Sequence, residues 1–265
     1  MTNSDKNLQL PKRKFQIMNL VWIVVLVAGF FLSVQDTDTH ISDLFKNFGQ
    51  FSDIFVEMCH PDWNYFSTVL NPLIETIKMA ILGTFLGSII AFVYSFAIAR
   101  NIVKNKIVVG VLKIIMNIIR TVPDLLLGAI FAAIVGIGPL AGVLALTVFT
   151  FGVVVKLFYE AIETIDPGPI EAMVAVGANK LQIICEAVLP QVITYFISYV
   201  LYAFEINVRA STVLGYVGAG GIGVLLQISL GRFNYAQTGL IILVIFLVVF
   251  IIDYISSKFR EAVMK

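Results

Sequence analysis

Charge is what this chain of 265 residues has least of: Asp, Glu, Lys and Arg make up 13% of it, against 59% hydrophobic residues. Soluble domains carry about 25% charged residues. So few charges cannot cover a water-exposed surface, and the composition places the chain in a membrane. Histidine and cysteine are scarce as well, two of each, which argues against a disulfide framework. Cys59 and Cys185 fall in segments expected on opposite sides of the bilayer, and His40, Cys59, His60 and Asp62 fit no ligand spacing and read as solvated loop residues. No GxxxxGK[ST] occurs, so the chain has no P-loop with which to bind ATP. A net charge of +1 points to no charged partner; only the placement of the charges is informative.

What is abundant is long apolar runs. The first, Phe15 to Val34, follows Lys12, Arg13 and Lys14 and is long enough to cross about 30 Å of hydrocarbon. No small-x-small cleavage site follows, so it reads as a retained anchor helix. Residues 35–72 are polar and aromatic, with Phe45, Phe48, Phe51, Ile54, Phe55 and Met58 spaced for one or two interfacial helices. A second span begins at Pro72 with an uncharged core from Met79 to Ala99, and its Gly83 and Gly87 form a GxxxG pair that lets a neighbour approach closely. The third apolar stretch, Ile107 to about Ile134, is interrupted by Lys113, Arg120, Pro123 and Asp124; Pro123 should kink or break the helix. Arg120 and Asp124, four apart, are candidates either for a solute pathway or for an internal ion pair. Spans at Leu140 to Phe158, Val192 to Val217 and Leu240 to Ile255 complete a set of six.

Positive charge sorts by side. With the amino terminus inside, the clusters Lys12 to Lys14, Arg100 to Lys106, Lys156 with Lys180, and Lys258 to Lys265 all fall inside, leaving Lys46 and Arg232 outside. The asymmetry predicts both termini on the cytoplasmic side.

Between spans four and five, residues 166–190 carry helix signals of their own. Asp166 and Pro167 suit a helix start, Glu171 sits where the helix dipole favours a carboxylate, and Gly177 suits a helix end. Asn179 and Gln182 are spaced as a capping box, and Pro190 is expected to close a second helix. Span five carries Ser198, Tyr202, Glu205, Arg209 and Thr212 as one polar stripe, which should face a cavity or a partner helix, with Asn207 and Ser211 on another face. Glu205 and Arg209 either neutralise one another or present Arg209, with Arg120, to a passing anion. Gly218, Gly220 and Gly223 formally match GxGxxG, but no strand and no βαβ unit precede them; with Gly221 they read as a closely packed, flexible turn, a candidate gate.

The spacing Glu171-Ala172, Gly177, Leu189-Pro190 resembles the EAA loop of bacterial ABC importer permeases, with Met173 in place of the usual second alanine and Ala187 where that pattern has isoleucine. The run from Phe204 to Gly215, followed by Val217 to Gly223, is similar to the signature of phosphonate ABC-transporter permeases. So are Glu75, Thr76, Met79, Ala80, Gly83 and Thr84, Ala99-Arg100-Asn101, and Arg120 to Asp124. The resemblance covers the chain from about residue 72 onward. It implies an all-α permease of the bacterial cytoplasmic membrane: an anchor helix and loop over residues 1–71, and a five-helix transmembrane domain of the MetI-like type I importer class over 72–265. It further implies a homodimer joined to two ATP-hydrolysing subunits, which bind ATP and Mg while this chain binds no cofactor, and an extracytoplasmic phosphonate-binding protein. The implied coupling residues are Glu171, Ala172, Gly177, Leu189 and Pro190. Two rivals remain: a gradient-driven transporter, for which the halves show no inverted similarity, and a membrane enzyme, which would want clustered His or acidic ligands.

Overall fold

A computed structural model describes residues 17–36 and 48–264. The chain divides into two compact units, residues 1–54 and 55–265. The first unit holds α1 (Ile17–Asp36), apolar on all sides. Lys12 to Lys14, His40, Phe45 and Lys46 lie outside the described residues. The second unit begins within α2 (Phe48–Met58), a short helix among the described residues of the segment expected to hold one or two.

The second unit is all helical. Its order is α3 (Phe66–Ile98), α4 (Lys106–Thr121), α5 (Asp124–Val135), α6 (Pro139–Glu163), α7 (Gly168–Ala175), α8 (Lys180–Gln182), α9 (Leu189–Leu214), α10 (Ile222–Gly231) and α11 (Tyr235–Val263). Among the described residues, four helical rods are long and apolar enough to cross a membrane, and α4 with α5 makes a fifth if that pair, bent by 87°, counts as one span. The break falls at Val122-Pro123: proline cannot donate to the α4 ladder, and Pro123 instead caps α5.

The centre is the pair α3 and α6, held close by the GxxxG glycines. A Cβ on Gly83 would stand 2.5 Å from Leu146 Cβ, and one on Gly87 2.6 Å from the Thr147 carbonyl. Without side chains at these two positions the backbones meet, and dispersion contacts replace lipid. Toward the α3 carboxyl end, Phe92, Phe96, Phe158 and Phe196 close into one aromatic cluster with centroids 4.8 to 5.8 Å apart. Here Asn101 donates to the Ile162 carbonyl, and Lys113 pairs with Glu163 at 2.9 Å. At the opposite end Val69, Ile222, Leu240 and Ile241 are buried together.

Two expectations are corrected. The second span starts at Phe66, with Pro72 inside the helix rather than at its start. Pro190 does not end a helix: a π-helical stretch, Ile183–Val188, runs into α9, giving one rod from Lys180 to Val217. Pro190 follows directly on the π stretch, whose wider turn, with Leu189 donating to Ile184 O, carries the rod through a residue that has no N–H to donate.

Candidate functional site

The stretch of residues 166–190 builds a projecting knob. Asp166 Oδ1 accepts from the Gly168 amide at 3.0 Å, fixing the entry to α7. The exit is a Schellman motif: Gly177, at φ 78°, donates to Val174 O, and Ala178 donates to Met173 O. A side chain at Gly177 would meet open space but carry left-handed strain. Asn179 and Gln182 form the expected reciprocal capping box, at 2.8 and 2.9 Å. Glu171 and Ala172 are exposed, as are the apolar Val174, Val176 and Leu181. Beneath the knob, Ile170, Ile183, Ile184 and Leu189 pack on the cluster containing Phe158. Ala187, the departure from the EAA pattern, is buried.

Helix α9 carries the charge. Arg209 Nη2 donates to Glu205 Oε1 and to Asp253 Oδ2, both at 2.6 Å, and Arg260 donates to Glu205 Oε2 at 2.9 Å. Arg260 also lies 5.9 Å from the Tyr202 ring. The pair Glu205–Arg209 is therefore the middle of a four-residue chain that joins α9 to α11. Glu205 is its covered member, 14% exposed, and Arg209 its open one, at 46%. Sequence reasoning missed Asp253 and Arg260. Asp253 had a readable signal, as the sole charge within the apolar run Leu240 to Ile255; Arg260 reads as part of a terminal basic cluster yet folds back onto α9.

The other polar face of α9 is neutral and sealed. Asn207, wholly buried, donates to Thr84 Oγ1 at 2.7 Å and Thr150 Oγ1 at 2.6 Å, tying α9 to both central helices. Ser211 is buried too but bonds its own helix, at Val208 O, so the expected bond across helices is made by Asn207 alone of these two.

Arg120 and Asp124 do not pair. Asp124, the first residue of α5, accepts from the Leu125 amide at Oδ1, and the bend at Pro123 separates it from Arg120, whose stem packs over Gly152. Both line a 330 Å³ cavity with Val122, Phe149 and Gly152.

The glycine turn is anchored rather than loose. Gly218, Gly220 and Gly221 have φ of 81°, 82° and 75°. Gly221 N donates to Glu75 Oε1 and Ile222 N to Thr76 Oγ1, while Gly218 O accepts from Gly138 N. Gly223 packs directly on the backbone of Thr212 and Gly215. Beyond it comes α10, in a stretch between the turn and the last span to which the sequence assigns no element.

The model of the family described as "Binding-protein-dependent transport system inner membrane component" matches residues 83–261. The chain belongs to that family. It is thus a permease component, multi-pass in the cytoplasmic membrane. The phosphite transport system permease protein PtxC of Stutzerimonas stutzeri is 40% identical over 91% of this permease and 86% of its own length. The putative phosphite transport system permease protein HtxC of the same organism is 33% identical over 100% and 92%. The inward-facing MetNI methionine ABC transporter, at 24% identity, covers 77% of the permease with a TM-score of 0.69 and is matched along 100% of its chain. That last likeness identifies the fold, a MetI-like type I ABC permease.

Proposed function

We propose that this permease forms the membrane path of an ATP-driven importer for a phosphorus oxyanion of the phosphonate and phosphite kind. The observation that carries the substrate class is the 40% identity along 91% of the chain with a phosphite transport permease. In this reading six spans, including α1, place both termini in the cytoplasm, with residues 1–71 as anchor and loop and 72–265 as the transmembrane domain. The permease acts as a homodimer with two ATP-hydrolysing subunits, which hold ATP and Mg, and receives its solute from an extracytoplasmic binding protein.

The chemistry follows from the residues. The exposed carboxylate of Glu171 at the start of α7 and the apolar Val174, Val176 and Leu181 give the knob a docking face for the ATP-hydrolysing subunit. Gly177, Leu189 and Pro190 fix its angle to α9. Closure of those subunits moves the knob, and the Phe158 cluster carries the displacement into α3, α6 and α9. ATP supplies work only through its greater affinity for the closed arrangement. Arg120 and Arg209 present positive charge to the solute; Asp124, Glu205, Asn207 and Ser211 hold the helices that bear them. The turn Gly218–Gly223 gates the far end.

The test is uptake of labelled phosphite by proteoliposomes holding the permease with the partners that copurify in mild detergent. ATP-dependent uptake supports the reading; uptake without ATP by the permease alone would replace it with a gradient-driven transporter. In the same vesicles Glu171→Arg should assemble yet lose solute-stimulated ATP hydrolysis, and unchanged stimulation would remove α7 from the docking role.

A further inference from the structure

Arg209 is bonded at one nitrogen only. Its Nη2 holds both Glu205 and Asp253, while Nη1 and Nε make no bond among the described residues, and 46% of the side chain is open. Its two carboxylate partners are unequal. Glu205 is 14% exposed and also receives Arg260, so it is fixed from two sides. Asp253 is 37% exposed and reaches Arg209 through Oδ2, its buried Oδ1 having no partner. Glu205 is therefore the permanent anchor of the guanidinium, and Asp253 the replaceable one.

An arginine lodged within apolar spans has a defect as a station for an anion. Its planar fork matches a tetrahedral oxyanion bidentately, and low dielectric strengthens the pair, so an arginine alone would hold its anion too long. A carboxylate on the same guanidinium cures this by competing for it. At rest the cluster sets two arginines against two carboxylates, with no net charge.

We propose that Asp253 is a built-in competitor for the transported oxyanion: the solute takes its place on Arg209, and Asp253 reclaims the guanidinium as the solute moves on. The inference rests on the oxyanion reading above. Asp253 acts through Arg209 and is a positioning residue, one that sets release rather than capture.

The experiment uses the complete complex with its ATP-hydrolysing subunits, in nanodiscs for binding and in proteoliposomes with the binding protein for uptake. Binding is read as the concentration of inorganic phosphite that half-stabilises the complex against heating; turnover is read as the maximal rate of ATP-driven phosphite uptake. Asp253→Asn should lower the half-stabilising concentration about fivefold, the size of one partly exposed ion pair, while uptake slows by a similar factor. Tighter binding with slower transport is a split that a merely structural role does not produce. A midpoint that is unchanged or raised overturns the proposal. Should Asp253→Asn fail to assemble, Arg209→Lys decides: it keeps the charge and gives up the fork, and the midpoint must rise at least about tenfold; an unchanged midpoint overturns the proposal equally. The wild-type complex separates the two levels, since its failure to move any phosphorus oxyanion would strike the substrate reading and not the competition.

Discussion

Two polar faces of the same helix, α9, handle burial in opposite ways. One face, at Asn207, is uncharged and sealed, its amide divided between hydroxyls of α3 and α6. The other, at Glu205 and Arg209, is charged, partly open and tied to α11. The first is a joint: both bonds leave Asn207 Nδ2, its buried Oδ1 has no partner among the described residues, and short bonds between neutral buried groups are costly to disturb. The second is a contact that can be remade, because its members keep partial access to something outside the chain. Within 5 residues, α9 therefore fastens itself to the fixed centre of the bundle on one side and offers exchangeable charge on the other.

The comparison can be broken most severely at the sealed face. Asn207→Asp places a carboxylate where no cation reaches, and the uncompensated charge should cost several kcal/mol, about 3–5 by analogy with broken buried pairs. Size-exclusion of a fluorescent fusion should then show no monodisperse protein; a normal peak would mean the pocket admits water or a cation. Glu205→Gln tests the charged face and should do less. It leaves Arg209 with Asp253 but deprives Arg260 of its partner, for a loss of about 1–3 kcal/mol, read as a lower melting temperature in an assembled complex with slowed uptake. Arg120→Ala should do least to stability, within about 0.5 kcal/mol, since Arg120 has no ion partner among the described residues. If uptake also stays normal, Arg120 is no part of the path.

The periodic signals proved the most legible. The GxxxG pair forecast the α3–α6 seam and Asn179 with Gln182 a capping box, both of which the fold contains; of the 4-3-4-3 stripe, Tyr202, Glu205 and Arg209 meet α11, while Thr212 bonds its own helix and Ser198 is buried. What failed were rules applied without their neighbours. An ion pair four residues apart needs an unbroken helix, and Pro123, read correctly as a breaker, lies between Arg120 and Asp124 and voids it. Pro190 read as a stop because propensity treats a proline by itself, whereas the π turn before it changes which amide is needed. Arg260 was hidden by distance: nothing local ties residue 260 to residue 205, and only packing of α11 across α9 brings them together. Helix α10 was masked by its shortness, 10 mostly apolar residues that look like the lead-in to a span.

The π-helical stretch Ile183–Val188 makes the knob and the transmembrane part of α9 two sections of one shaft, keyed to each other at a set angle. An α-helix advances about 100° per residue, and a π turn is in effect one residue inserted into that count. Deleting a single residue there would restore regular α winding and leave every side chain of α9 in place. It would turn the knob by roughly a quarter of a circle, like a crank refitted one tooth out, so that Glu171 and Val174 faced a new direction and Ile170 and Ile183 lost their seats on the Phe158 cluster. The bulge thus stores the angular setting between the exposed face of α7 and the helix that bears Arg209, in a segment where neither of them lies.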